Sequence, residues 1–81
     1  MEAFKSYNQV VEQLRELIAD ALDVNRRHID IISIRKGERI GRLDYSIEYH
    51  IVYMNDGAEH NAIWTVSHWS NGDSTENIKV N

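Results

Sequence analysis

Apolar residues near the start of the chain recur at helical spacing. Tyr7, Val10, Val11, Leu14, Leu17, Ile18, Ala21 and Leu22 return to one face at steps of three, one and three, the pattern of an amphipathic helix packed along one side. Ser6 followed by Gln9 fits a capping box, in which each side chain satisfies the other's backbone N–H, and predicts a helix beginning at Tyr7. Residues 24–28 show no sustained period and read as a connector in which Asn25 caps one short turn.

From Ile29 the period changes. Ile29, Ile31, Ile32 and Ile34 are β-branched and crowded, as in a first strand covered on one side and partly protected on the other. Gly37 and Gly41 bracket Glu38, Arg39 and Ile40 in a segment that reads as a loop. Between Leu43 and Tyr53 the alternation is nearly complete: Leu43, Tyr45, Ile47, Tyr49, Ile51 and Tyr53 face one way, and Asp44, Ser46, Glu48 and His50 the other, a half-buried strand. With Asp56-Gly57 as a two-residue hairpin loop, Tyr53 faces His60, Ile51 faces Ala62, Tyr49 faces Trp64 and Ile47 faces Val66. Slipping this register by one residue would oppose the two apolar faces.

A second turn around Asn71-Gly72 leads to a last strand with Ile78 and Val80. A two-residue loop sets Ile78 opposite Thr65 on the outer face. A three-residue loop with a bulge sets Ile78 opposite Val66 and Val80 opposite Trp64, which buries more apolar surface and is preferred. The expected architecture is a single α+β domain over residues 1–81: one N-terminal amphipathic helix packed on an antiparallel meander of three to four strands.

Composition narrows this picture. A chain of 81 residues holds one small core and buries roughly 60 to 65% of its unfolded surface. The absence of cysteine removes disulfides and thiolate metal sites and leaves the redox compartment open. No apolar run reaches the roughly 18 residues of a membrane span, and the N-terminus lacks the charged-then-apolar pattern of a secretory signal, so a soluble cytoplasmic protein without membrane contact is expected. Zero prolines and well-spread hydrophobic positions argue against disorder.

Charge is the most informative feature. Between residues 26 and 42, Arg26, Arg27, Arg35, Lys36, Arg39 and Arg42 stand against Asp30 and Glu38, a formal +4, whereas the rest of the chain carries a formal −8 within an overall −4. On the polar side of the helix Glu12, Glu16 and Asp20 form an acidic ridge at four-residue spacing, suited to a solvated face or to a basic partner. The basic segment is suited to an anionic partner.

No catalytic pattern accompanies these charges. His60 and His68 lie eight residues apart on one strand, roughly 26 Å, His50 is on the other face of the neighbouring strand, and His28 is in the connector, so no metal site and no cofactor are expected. Gly37 and Gly41 lack the order and the Lys-Ser/Thr pair of a phosphate loop, and no serine has the partners of a nucleophile. Tyr49 and Trp64 are expected in the core. Trp69 alternates onto the outer face near Asp44, and with Val52 and Ile63, adjoined by Met54, it forms a candidate protein interface.

The leading expectation is a small non-enzymatic protein-interaction or regulatory module. Its outer sheet face and opposed charged surfaces would hold a protein partner or a second copy of the chain as a homodimer. The first alternative is a nucleic-acid-binding domain using residues 26–42, against which the acidic remainder counts. The second is a small-ligand-binding domain between helix and sheet, where the same residues must also fill the core.

Overall fold

The computed structural model describes residues 6–81. The reading of the N-terminus as lacking a secretory pattern rests partly on residues 1–5, which lie outside the described residues. The first element, α1 (Tyr7–Leu22), begins where the capping pattern places it. Ser6 Oγ accepts from the Gln9 N–H at 3.2 Å, and Gln9 Oε1 accepts from the Ser6 N–H at 2.8 Å. At its C-terminal end Asp23 adopts a left-handed conformation (φ 59°) and the Val24 N–H closes on the Ala19 carbonyl. Leu14, Ile18 and Ala19 are buried. Tyr7 and Ala21, read as part of the apolar face, are exposed, because the face that meets the sheet is narrower than the apolar stripe. Asn25 then caps a 3₁₀ turn (Arg26–His28) by accepting from the Arg27 N–H at 3.0 Å.

Four antiparallel strands follow in spatial order: β1 (Ile29–Gly41), β2 (Tyr45–Asn55), β3 (Ala58–His68) and β4 (Ser74–Val80). The β2–β3 register is the expected one, unbroken from Asn55 opposite Ala58 to Tyr45 opposite His68. Asp56 (φ 51°) and Gly57 (φ 83°) make the turn with positive φ at both central residues, the primed geometry whose twist matches the strands. Facing the helix, aromatic and aliphatic rungs alternate: Tyr45–His68, Ile47–Val66, Tyr49–Trp64, Ile51–Ala62 and Tyr53–His60. Ring centroids in the three aromatic rungs are 4.9, 5.0 and 5.5 Å apart.

Three expectations are corrected. The segment Glu38–Ile40 is not a loop: β1 continues through it to Gly41, and irregularities in its pairing with β2 between Ile31 and Ser33 and between Lys36 and Arg39 absorb the extra residues as bulges. Gly37 serves this close approach, since a Cβ there would lie 2.9 Å from the Glu48 carbonyl oxygen. The turn falls instead at Arg42–Asp44, so Leu43 leaves the apolar row and is 81% exposed. Finally, the β3–β4 loop has five residues, closed by the Trp69 N–H on the Asp73 carbonyl at 2.9 Å. Two further loop residues preserve the parity of the strand, so Ile78 and Val80 reach the helix-facing side as expected, but opposite Trp64 and Ala62.

The core lies between α1 and the inner sheet face: Leu14, Ile18, Ala19, Ile29, Ile51, Tyr53, Ala62 and Trp64, with Ile31, Ile34, Ile78 and Val80 packed around them. The indole N–H of Trp64 donates to Glu76 Oε1 at 2.8 Å, and Gln13 Nε2 donates to the same oxygen at 2.8 Å, tying α1 to β4.

Candidate protein-interaction surface

Because α1 covers the inner face alone, the outer face of the sheet lies open among the described residues. Strand alternation sends Ser33 and Arg35 from β1, Glu48, His50, Val52 and Met54 from β2, and Asn61, Ile63 and Thr65 from β3 to this side. Val52 is opposite Asn61, and His50 is opposite both Arg35 and Ile63. Val52 and Ile63 are thus diagonal neighbours, and both are half-buried by adjoining side chains. They contribute to a concavity of about 490 Å³ that Ser33, Arg35, His50, Asn61 and Asn81 also line.

Arg35 is the one charged side chain in this lining. Its guanidinium makes no hydrogen bond or ion pair among the described residues, in contrast to several other arginines. Arg15 holds the Ile29 carbonyl at 3.0 Å and Glu12 at 2.8 Å. Arg26 pairs with Glu16 at 2.6 Å. Arg39 stacks 3.8 Å from the Tyr45 ring centroid and donates to the Arg42 carbonyl.

The basic segment is therefore not one surface. Arg26 and Arg27 belong to the 3₁₀ turn at one end of the sheet and Arg42 to the turn at the other. Lys36 and Arg39 pair with Tyr49 and Ile47 on the inner side, whereas Arg35 pairs with His50 on the outer side. The acidic ridge is partly neutralised within the chain, since Glu12 and Glu16 are in ion pairs with Arg15 and Arg26, while Asp20 lines a shallow hollow beside Arg26.

The structure brings Val52 and Ile63 together but not Trp69. Trp69 directly follows β3, six positions from Ile63 and roughly 20 Å along the strand. It is 44% exposed. There the Ser70 N–H donates to Asp44 Oδ1 at 2.6 Å, bracing the β3–β4 loop against the β1–β2 turn. Ile40, 58% exposed, and Leu43 lie at this same end of the sheet. Sequence reasoning missed both, placing Ile40 in a loop and Leu43 in the core row. The two glycines close to an alternating strand were the only available sign that a bulge would turn this segment outward.

No group of three or more metal-ligating side chains occurs among the described residues. The histidines are dispersed: His60 and His68 contact Tyr53 and Tyr45, and His28 Nδ1 lies 2.9 Å from Asp56 Oδ1. In the core, burial pushes the Tyr53 phenol above its ordinary range. No helix among the described residues is long and apolar enough to cross a membrane. No known protein family, curated protein or solved structure matches this chain.

Proposed function

We propose that the chain is a small, non-enzymatic protein-interaction module with a regulatory role in a cytoplasmic setting, making its contact through the outer face of the sheet. The observation that carries this reading is the open concavity in which two apolar side chains, Val52 and Ile63, sit beside Arg35, a cation with no hydrogen-bond or ion-pair partner among the described residues. An apolar centre with an arginine at its rim is the composition of protein contact surfaces. The proposed surface extends toward Ile40, Leu43 and Trp69, at the end of the sheet where Asp44 accepts from the Ser70 N–H and links the two loops. Dispersal of the cations over two faces and both ends gives nucleic-acid binding less support, since a phosphate backbone is met by a continuous basic stripe.

The test is a series of amide NMR spectra recorded with increasing protein concentration. Self-association through this surface moves the resonances of Arg35, Val52, Ile63 and their outer-face neighbours together. Shifts confined to the Glu12–Asp20 ridge and the Arg26–Arg27 turn would overturn the assignment of the surface.

A further inference from the structure

Within that reading, and resting on it, we infer that the occupant of the outer concavity is a second copy of the chain, which supplies Glu38 and Ile40 of its own β1. A guanidinium beside an apolar floor, with Ser33, His50 and Asn61 as hydrogen-bonding neighbours and no acidic side chain in the lining, suits a single negative charge attached to an apolar group. A phosphate dianion would leave excess charge uncompensated there. In an extended segment, side chains two positions apart project from one face roughly 6.6 Å from each other. An acid and an aliphatic residue at that spacing therefore match the cup.

The chain carries such a pair. Glu38 is exposed and makes no ion pair among the described residues, and Ile40, two positions on, is largely exposed. The bulge between Lys36 and Arg39 leaves Gly37 and Glu38 without a register partner, and Ile40 pairs with Ser46 on the outer side; alternation from Ile40 then directs Glu38 to that side as well. Asp30 and Ile32 share the spacing, but Asp30 pairs with Met54 at the opposite end of β1, five positions from Arg35. Arg35 and Glu38 lie three positions apart on one strand. About a two-fold axis beside β1, Arg35 of each copy meets Glu38 of the other, so a single complementary pair is made twice. The same axis brings Ile40 of each copy to Ser33 of the other, beside Val52, with which Ser33 pairs.

Charge reversal tests the pairing. Dimer dissociation constants are measured by sedimentation equilibrium for the wild type, Arg35→Glu, Glu38→Arg and the double variant. Both positions are exposed and make no ion pair among the described residues, so all four proteins should fold, as circular dichroism can verify. The wild type should dimerise, less tightly as salt rises. Each single reversal should weaken the dimer at least about tenfold by opposing like charges, and the double variant should recover most of the loss. A wild type that stays monomeric at every concentration overturns the inference. So does a double variant as weak as the singles; in that case loss of the dimer in Ile63→Asp would still support the outer face as the contact surface, with a different pairing.

Discussion

At the scale of single residues, the helix-facing rungs of β2 and β3 carry the stability. Trp64 is buried against Tyr49 and held by Glu76, so Trp64→Ala should lower unfolding free energy by about 3 to 5 kcal/mol in urea titrations. Tyr49→Ala should cost less because its ring is only half covered. Gly41 has φ 99° and lies where a Cβ would strike the Asp44 carbonyl oxygen; Gly41→Ala should cost about 1 to 3 kcal/mol or shift the turn. Tyr53 gives a pH signature. Burial raises its folded-state pKa, so above pH ~10 the unfolded chain loses the phenolic proton first and stability falls as pH rises further. Tyr53→Phe should flatten that alkaline decline, as followed by thermal melts across the alkaline range. The core residues were legible because their alternation, turn chemistry and cross-strand partners all agree. Arg35 was legible as a cation, but its isolation from Lys36 and Arg39 depends on side-chain facing, which bulges alter.

At the scale of elements, the chain reads reliably wherever period and punctuation coincide. The helix has its capping box and the β2–β3 hairpin has Asp56-Gly57, and both appear at the expected residues. β1 was harder to read, because each bulge resets the inside-outside alternation and glycines that mark turns elsewhere mark a close approach here. The loop before β4 contains Asn71-Gly72, a two-residue turn signature that the chain does not use as one; its length was open, and the side of Ile78 and Val80 was chosen by the apolar surface it buries. Asp44 is the tie that turns two loops into one rigid end. Asp44→Ala should leave the fold intact, cost about 0.5 to 1.5 kcal/mol, and raise hydrogen exchange at the Ser70 amide; unchanged protection there would show that the loops hold their shape without the bridge.

At the scale of the molecule, the division of charge has two consequences. Part of it closes the chain on itself, since Glu16 and Arg26 join the helix to the 3₁₀ turn and Arg15 reaches back to the start of β1. Another part lies along β1, an edge strand whose bulges and cations discourage indiscriminate edge pairing. The face left open is the outer one, where apolar floor and free cation meet. The central claim is that this face is a contact surface, and light scattering after size exclusion, comparing the wild type with Ile63→Asp at about 50 and 300 mM salt, tests it most directly. The account predicts a dimer for the wild type, weaker at the higher salt, and a folded monomer for Ile63→Asp; equal masses for the two proteins at both salts would contradict it.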